Sequence, residues 1–416
     1  MKTPRQTMVT CYAATVLSWC LATLPAQAGA PVHGARAAGM NTAFTAVAND
    51  PSAILHNPAG ITQLAGTRFY GGATLVLPSS SYRDPDGKTT DTRSQAFFPP
   101  HLFISRRLPS GYVSMGLGLY APFGIGGRKW PDHGPTRYRS IESFIATVAI
   151  NPTLAVKLAS GWSLALGLDY MRALNQAENA VDQSALGAPD GRMEMEADGG
   201  GWGYNLGLLY RPGGAFSFGI AYRSGIKVDQ KGNLKLKDIA PPLQGLFGGA
   251  RYRTDVRTSV DFPALVDIGI AWRPASRWII DVDAEWGGWS SFRKATLDLK
   301  DEVPAAGLVD STVRQDWRDA WAYKTGVDYQ VNARLSLRAG YAFLNTPVPE
   351  ATLTPANPDA DQHNLSLGLG WRDGPWAVDG FYNYGYFKKR RVDNAILTGD
   401  YRSGIHYLGL SLGWKH

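Results

Sequence analysis

The stretch that decides the fold is WIIDVDAEW, residues Trp278–Trp286. Apolar residues occupy every second position from 280 to 286, and Asp281, Asp283 and Glu285 occupy the positions between them. Because successive side chains of a strand point to opposite faces, this alternation predicts a strand with one apolar face and one charged face. Such a strand suits a sheet with hydrocarbon on one side and an enclosed polar interior on the other.

The same alternation recurs along the chain, in LVDIGIAWRP (265–274), RLSLRAGYAF (334–343) and HYLGLSLGWKH (406–416). Counting such segments predicts an all-β fold, a 14-stranded antiparallel transmembrane β-barrel. An even number of strands lets the barrel close with both termini on one side, and closure leaves no unpaired backbone edge in lipid. The predicted strands are 67–77, 96–108, 111–121, 141–158, 161–176, 200–212, 214–235, 257–274, 277–290, 315–331, 333–346, 361–373, 375–388 and 401–416.

The connections between these strands are of two kinds. Tight turns with Pro, Gly, Ser or Asn alternate with long polar loops. Outer-membrane barrels have short turns in the periplasm and long loops outside, whereas a soluble β-sandwich should not show this asymmetry. The turns lie at 109–111, 160–161, 212–214, 274–276, 332–333 and 373–375, and the loops near 78–95, 121–140, 177–199, 236–256, 290–314, 346–361 and 388–400.

The leading residues 1–28 have the features of a secretory signal peptide. Lys2 and Arg5 precede an apolar run from 9 to 24, and Ala26-Gln27-Ala28 is a small-x-small cleavage site. The apolar run is short for a membrane anchor, which needs about 20 residues. A lipoprotein signal would need a small residue where Trp19 precedes Cys20. Export therefore places the protein outside the cytoplasm.

Composition supports this class. Both cysteines lie in the signal, so the mature protein has no disulfide, thiolate nucleophile or cysteine metal site. Cleavage removes two of the 42 basic residues and none of the 35 acidic ones, which leaves a net charge of +5. This mild charge, together with export, argues against a nucleic-acid partner. Abundant glycine (47 residues), 11% aromatic and 19% charged residues fit an outer-membrane barrel.

Residues 29–66 lack clean alternation and precede the first strand. They are rich in Ala and Gly, and from 34 to 66 only Arg36 and Asp50 are Asp, Glu, Lys or Arg. A free periplasmic tail would be oddly apolar. We therefore predict that 29–66 forms an N-terminal hatch inside the lumen, with the barrel spanning 67–416.

Three stretches resemble the FadL/TodX family of outer-membrane hydrophobe transporters. DPSAILHNPAGI (50–61) is similar to the family's hatch motif, which points to Asn57, Pro58, Ala59 and Gly60 as hatch residues. SMGLGLYAPFG (114–124) is similar to the end of its third strand, and TVAINPTLAVKLASGWSLALGLDY (147–170) to its fourth and fifth strands. The resemblance covers essentially the whole mature chain.

The resemblance implies a function and a mechanism. Extracellular loops would catch a long-chain fatty acid or another hydrophobe, which then moves to a lumen pocket above the hatch. Hatch rearrangement and an inward kink in the third strand would release it sideways through the wall, in the outer membrane of a Gram-negative cell. Burial of a fatty acid gains about 0.8 kcal/mol per CH₂, so a water-filled pore is a poor route for it. We expect a monomer without a cofactor; fatty acids and aromatic hydrocarbons remain alternative ligands.

The loop KDIAPPLQGLFGGAR (237–251) is the candidate capture groove. It carries Ile239, Leu243, Leu246 and Phe247, the last three at the i, i+3, i+4 spacing of one helical face. An exposed apolar loop marks a binding surface. The alternative is that this face packs on a neighbouring loop and caps the barrel.

Basic residues of the lumen are candidates for a carboxylate head group. Arg318, Lys324 and Arg338 point inward by parity, although lumen salt bridges are the alternative role. Gly116 and Gly118 also face inward and are candidates for a kink in the third strand.

Other features have simpler interpretations. Lys388-Lys389-Arg390-Arg391 either meets lipopolysaccharide phosphates or is merely solvated. Asp281, Asp283 and Glu285 fan out along a strand and so favour paired lumen charges over a calcium site. Scattered histidines and the absence of Gly-x-Ser-x-Gly give no catalytic or metal site. A hydrophilic diffusion porin is the first alternative function, and a barrel enzyme or adhesin the second.

Overall fold

A computed structural model describes residues 33–416, so the predicted signal 1–28 and residues 29–32 of the predicted hatch lie outside the described residues. The described chain forms one antiparallel barrel of fourteen strands, each paired with the next along the chain. The last strand pairs with the first from Arg68 opposite Lys415 onward. The amide of Thr67 donates to the carbonyl of His416, which fastens the two ends together. The predicted fold class is confirmed.

Six of the fourteen strands consist of two segments each. A short strand Thr89–Asp91 extends the end of β1 as a hairpin. The strands are β1 Thr67–Arg83, β2 Pro100–Arg107, β3 Val113–Tyr120 with Ile125–Lys129, β4 Glu142–Lys157, β5 Trp162–Val181, β6 Gly191–Tyr210, β7 Phe216–Arg223 with Ile226–Lys237, β8 Tyr252–Phe262 with Leu265–Trp272, β9 Trp278–Gly287 with Lys294–Leu299, β10 Ser311–Arg314 with Ala320–Gln330, β11 Leu335–Leu344, β12 Gln362–Asp373, β13 Trp376–Phe387 with Arg390–Val392, and β14 Gly399–Lys415.

The helices are short. No helix within residues 33–416 is long and apolar enough to cross a membrane. The α-helices are α1 Ala35–Gly39, α2 Ala53–His56 and α3 Pro241–Phe247, and the 3₁₀ segments are Pro58–Gln63, Ala159–Gly161, Ser184–Leu186, Trp289–Ser291, Pro304–Ala306 and Glu350–Thr352.

Alternation along the strands separates the two faces of the wall. On β9, Asp281 and Asp283 are buried toward the lumen, whereas Val282 between them is 55% exposed on the outside. Aromatic pairs mark both edges of the outer apolar band: Trp162 stacks on Tyr210 at the turn end, and Tyr170 lies 4.8 Å from Trp202 near the loop end. Such rings suit the two water–lipid boundaries.

Two predicted strands are longer than the sequence pattern indicated. The predictions ended one strand at 176 and began the next at 200, but β5 runs to Val181 and β6 starts at Gly191. Above the aromatic level Arg172 faces outward, while Met171 and Met193 face inward. The polarity of the faces reverses because the wall there has left the membrane, so residues 177–199 do not form the long loop that was predicted.

Two other predicted strands are interrupted. The predicted strand 214–235 breaks at Ser224-Gly225, and 257–274 breaks at Pro263-Ala264. The breaks lie side by side, with Arg223 opposite Leu265 below them. Proline lacks the amide hydrogen that a central ladder position needs. Each break shifts the alternation by one residue. Odd-numbered residues therefore face the lumen on the turn side of the breaks, and even-numbered residues face it on the loop side.

Candidate functional site

The leading segment occupies the lumen. Most residues from 33 to 64 are buried inside the barrel. Inward glycines of β10 and β11 make room for it: a Cβ on Gly326 would lie 2.6 Å from the Met40 side chain, and one on Gly340 would lie 2.4 Å from the Met40 backbone. Larger residues at these two positions would push the segment out of the lumen.

The Asn-Pro-Ala-Gly motif fixes the fold of this segment and ties it to the wall. The Asn57 amide nitrogen donates to the carbonyl oxygens of Thr45 (2.8 Å) and Leu208 (3.0 Å). Its amide oxygen accepts from the Ala59 backbone nitrogen at 3.2 Å, which caps the 3₁₀ segment that begins at Pro58. A Cβ on Gly60 would lie only 2.1 Å from the Ala48 carbonyl oxygen, so this position requires glycine.

Two wall carboxylates hold backbone amides of the segment. Asp283 accepts from the amides of Phe44 (2.9 Å) and Thr45 (3.0 Å), and Asp281 accepts from Val47 at 3.2 Å. Charge-assisted bonds of this kind are stronger than neutral ones. The acidic face that the sequence predicted for β9 therefore binds the leading segment through hydrogen bonds to its backbone.

A buried ion cluster fastens α1 to the wall. Arg36 pairs with Asp328 at 3.1 Å, and Arg338 bridges Asp328 (3.0 Å) and Asp379 (2.7 Å). A cavity of about 440 Å³ opens beside this cluster at the turn end, with Asp50 in its lining. Burial raises the pKa of the Asp50 carboxyl, although nearby Arg36 opposes the shift.

Above the segment lies a polar cavity of about 70 Å³. Lys324 pairs there with Glu285 at 2.5 Å and with Asp267 at 3.2 Å. Arg223 pairs with Asp169 at 2.5 Å and lines the same cavity. These cations are matched by wall carboxylates.

Two histidines of the leading segment also line this cavity. Burial lowers the pKa of His33 to about 4 and that of His56 to about 3, because neither imidazolium would be solvated there. Lys324 lowers the pKa of His56 further by charge repulsion. Both histidines are therefore neutral at pH 7.

The structure places the three predicted head-group residues differently. Lys324 lies at the polar cavity, whereas Arg338 is wholly buried between two aspartates and has no access to it. Arg318 is exposed in the loop segment between the two parts of β10, so its predicted inward direction is wrong. The rule that alternate residues face inward does not hold there, because Asp316, with φ 48°, interrupts the strand hydrogen bonding. Sequence analysis missed Arg223, a charged residue that ends an apolar strand segment.

The wall is interrupted in β3. Residues 121–124 stand opposite only Thr147 and Val148, since Tyr120 pairs with Ala149 and Ile125 with Ala146. Pairing of β2 with β3 also stops at Leu102 opposite Leu119, so the break has no ladder partner on that side.

The predicted kink residues lie elsewhere. Gly116 and Gly118 sit in the regular segment Val113–Tyr120, so the interruption is not at these glycines. A Cβ on Gly116 would come within 2.7 Å of the Ile54 side chain, and one on Gly118 within 3.0 Å. Both glycines instead provide the space that α2 needs against the wall.

The leading segment touches the break directly. One ring nitrogen of His33, Nε2, lies 2.7 Å from the carbonyl oxygen and 3.0 Å from the amide nitrogen of Ala121. Tyr120, the last residue before the break, donates to Asp169 at 2.8 Å, and Arg223 donates to Tyr120 at 2.9 Å. Segment, break and polar cavity thus form one connected network.

The upper lumen is lined mainly by apolar residues, among which Asn175 and Gln230 are hydrogen-bonded to each other. Phe123, within the break, packs on Phe262 with ring centroids 4.6 Å apart and on Trp289 at 6.2 Å. The lining therefore continues from the loop end to the break in β3. Its inward residues are all buried and include Met171, Met193, Met195, Val228, Leu234 and Val256.

The predicted capture loop forms α3, Pro241–Phe247. Leu246 is 43% exposed, and Phe247 packs on Tyr252 at 5.2 Å. Ile239 is buried, so it does not belong to an exposed groove. The helix lies against the loop turn Pro304–Ala306. This arrangement contains both predicted alternatives, an exposed apolar side chain and a packed face.

The basic run at 388–391 is largely engaged. Lys388 pairs with Asp361 and Lys389 with Asp400, while Arg390 donates to loop carbonyl oxygens of Val348 and Asp359. Within residues 33–416 no group of three His, Cys, Asp or Glu side chains is arranged to hold a metal ion.

Comparison with known proteins relates this geometry to a family. Residues 18–411 match the family described as outer membrane protein transport protein (OMPP1/FadL/TodX). A long-chain fatty acid transport protein of Escherichia coli O6:H1 is 24% identical over 403 residues, covering 88% of each chain. A putative outer membrane protein of Neisseria meningitidis serogroup B is also 24% identical, covering 86% of this chain and 85% of that protein.

Solved structures share the fold. A Pseudomonas aeruginosa FadL homologue has a TM-score of 0.83 at 20% identity and covers 93% of this chain and 99% of its own. The toluene transporter TodX of Pseudomonas putida has a TM-score of 0.74 at 17% identity, covering 92% and 98%.

Proposed function

Because this chain belongs to the outer membrane transport protein family OMPP1/FadL/TodX, an outer-membrane family, we propose that it takes up hydrophobic molecules by facilitated diffusion. Relatives are named for long-chain fatty acid transport, and a protein with the same fold is named for toluene. We propose long-chain fatty acids or similar hydrophobes as the ligand class of this chain. The observation that carries the proposal is an apolar upper lumen that continues to a break in the wall.

Capture begins at α3. Leu246 offers an exposed apolar side chain at the loop end, and Leu243 lies one helical turn away on the same face. The neighbouring turn Pro304–Ala306 supplies an opposing surface. Burying an acyl chain between these surfaces gains about 25 cal/mol per Å² of apolar area removed from water.

The ligand then enters the apolar upper lumen. Methionine suits a site that accepts ligands of varied shape, because its side chain is flexible and polarisable, and three methionines line this region. A carboxylate head group would lie toward the polar cavity, where Lys324 and Arg223 are the available cations. Their present carboxylate partners would have to share them.

Residues 33–66 act as the hatch, and the break in β3 is the exit. His33 binds Ala121 at the edge of the break, so hatch movement and opening of the exit are coupled through this contact. Lateral exit keeps an apolar ligand in contact with protein and lipid rather than with water.

A hydrophilic diffusion porin remains the competing function. It would need a polar channel through the lumen, but residues 33–64 fill the lumen of the described barrel. Liposome swelling separates the two functions. We expect proteoliposomes with this protein to take up labelled oleate faster than empty liposomes while showing little swelling in arabinose. Rapid swelling together with uncatalysed oleate entry would establish the porin instead.

The ligand class has its own experiment. Mass spectrometry of gently extracted protein should detect a co-purified fatty acid or aromatic hydrocarbon. Substituting Met193→Glu and Met195→Glu should lower binding of added oleate at least tenfold, because each change places a carboxylate in the apolar lining. Substituting the outward neighbours Glu194→Gln and Glu196→Gln is the matched control and should leave binding unchanged. Equal effects of both pairs would contradict a lumen route.

A further inference from the structure

A cluster of cations lies on the outer surface of the barrel where β13, β14 and β1 meet. Asp400 of β14 stands directly opposite Arg391 on one side and Arg83 on the other. Cross-strand neighbours on one face have Cβ atoms about 5 Å apart. Arg402 follows two residues after Asp400 on the same face, and Lys389 contacts Asp400 at 2.7 Å. We name Arg83, Lys389, Arg391 and Arg402 the rim cluster.

The rim cluster has more positive than negative charge. Its central carboxylate, Asp400, pairs with Lys389. Within the described part of the chain, Arg83, Arg391 and Arg402 form no ion pair, and all three are exposed. Arg83 uses its Nε to donate to the carbonyl oxygen of Gly87 at 3.2 Å, and its side chain lies against this turn. Two further acidic residues flank the cluster: Asp91, opposite Ser81 on the adjoining hairpin, and Asp393, two residues after Arg391.

The opposite side of the barrel differs. Outward cations of β5 to β8 alternate with acidic residues: Arg172 pairs with Asp198, and Lys237 pairs with Glu194. In register, Lys231 stands between Asp198 and Arg257. On that surface acidic residues stand between the cations along each strand, whereas the rim cluster places four cations around one carboxylate.

The rim cluster lies just beyond the lipid head-group layer. On β14, Leu408, Leu410 and Leu412 face lipid, and His406 above them stacks on Tyr382 at 6.0 Å. Arg402 lies four residues beyond His406, which corresponds to about 13 Å along a strand and about 10 Å of height at a tilt near 40°. Arg83 and Arg391, opposite Asp400, lie about 5 Å higher. The polar layer of a leaflet extends roughly 5–8 Å beyond the hydrocarbon, within reach of these long side chains.

We propose that the rim cluster binds the phosphate groups of lipid A, the phosphorylated glycolipid anchor of lipopolysaccharide in the outer leaflet. Guanidinium groups bind phosphate oxygens through paired hydrogen bonds, and three of them converge here around a single carboxylate. Tyr382 and Tyr386, both exposed just below, offer aromatic surface to the sugars and the first acyl carbons. The site is independent of the lumen and of the transported ligand.

The test is native mass spectrometry of the full-length mature protein with defined lipids. The probes are bisphosphorylated lipid A, dephosphorylated lipid A and phosphatidylglycerol. The site variant is Arg83→Gln with Arg391→Gln and Arg402→Gln, and the matched control is Lys231→Gln with Arg253→Gln and Arg257→Gln on β7 and β8. Heat-modifiable migration in gels reports whether each variant is folded. If the site variant does not fold, Arg402→Gln alone replaces it, with control Arg257→Gln.

We expect the unmodified protein to retain bisphosphorylated lipid A at least tenfold better than the other two lipids. The triple site variant should lose this preference, the single variant should lose part of it, and the control should keep it. Equal retention of dephosphorylated lipid A would overturn the proposal, as would equal loss in site and control variants. Equal retention of phosphatidylglycerol would show a general anionic-lipid contact and would equally overturn the assignment to lipid A.

Discussion

The Asn57 side chain stabilises the hatch, whereas the barrel wall is held by strand pairing and does not depend on it. Its three hydrogen bonds join two turns of the hatch to each other and to β6. We expect Asn57→Ala to slow oleate uptake several-fold, because the hatch loses its cap and its wall contact. The barrel should still migrate as a folded species in unheated gels.

Asn57→Asp is the informative companion change. It keeps the oxygen that caps Pro58–Gln63 but removes the amide that donates to Leu208. Uptake intermediate between the parent and Asn57→Ala would assign separate effects to the cap and to the wall contact. Transport at the parental rate in both variants would remove Asn57 from the mechanism.

Substitution of Lys324 measures how much the buried ion pairs contribute to the stability of the barrel. Lys324→Met leaves Glu285 and Asp267 without their cation, and breaking a buried pair costs about 3–5 kcal/mol. We expect urea unfolding in detergent micelles at a correspondingly lower concentration. Adding Glu285→Gln should recover part of the loss.

The recovered double variant also reports on the ligand. If Lys324 contacts a carboxylate, uptake of oleate should fall while uptake of an uncharged hydrocarbon stays the same. Parallel loss of both substrates would assign Lys324 a purely structural role.

At the scale of elements, the break in β3 is the clearest functional device. Four residues, 121–124, face two residues of β4. Deleting Phe123 and Gly124 equalises the two sides, so we expect continuous pairing of β3 with β4. Oleate uptake should fall at least tenfold, while binding in the upper lumen, measured by fluorescence of a bound fatty acid analogue, should change far less.

A deletion elsewhere in the wall provides the comparison. Removing two residues from the turn 212–214 shortens the chain equally but leaves the break untouched. Uptake unaffected by closure of β3 would show that the ligand leaves by another route.

The hatch should respond to acid through its histidines. The pKa values of His33 and His56 are about 4 and about 3 in the docked hatch, below their ordinary value of 6.5. The docked state thus binds fewer protons, and its stability is complete above pH 6.5 and falls as pH drops toward 4. At pH 5 the loss is on the order of 2 kcal/mol per histidine. Hydrogen-exchange protection factors of residues 44–57 should decrease accordingly relative to β12.

Asp50 acts in the opposite sense, since burial raises its pKa and favours the docked hatch at low pH. The double variant His33→Asn with His56→Asn isolates the histidine effect, and its protection factors should no longer fall between pH 7 and 5. Protection in the parent that is independent of pH in this range would contradict the assignment.

The sequence predicted elements where one physical rule acts along a whole segment. Alternation located Asp281 and Asp283 on the lumen face because β9 is regular there. It failed at Arg318, where the chain leaves the ladder, and at residues 224–225, where two adjacent strands break together. Such breaks depend on pairing between strands distant in sequence. The alternation of Met193 and Met195 with Glu194 and Glu196 was visible, but its reversed polarity made it resemble a loop.

At the scale of the whole molecule, barrel and hatch are separable in sequence yet share their buried charges. Deleting residues 33–64 would expose Asp281, Asp283 and Arg338 to a lumen that water can enter. We expect the barrel to fold, because its wall pairing is complete without the hatch, and to swell liposomes rapidly in arabinose.

The intact protein is the control for this deletion and should swell liposomes little. A hatchless barrel that also excluded arabinose would show that the upper apolar lumen, rather than the hatch, blocks polar solutes.

The contacts of α1 carry a consequence for how the protein is built. The amide of Ala35 donates to Ser411, and Asn41 donates to the carbonyl of Asn364, residues that follow more than three hundred positions later. The first part of the mature chain to reach the periplasm is therefore the part whose partners arrive last. Until β14 has been inserted, periplasmic chaperones must shield the hatch, because its binding surface in the lumen is still incomplete. Pairing of β14 with β1 closes the barrel and completes that surface.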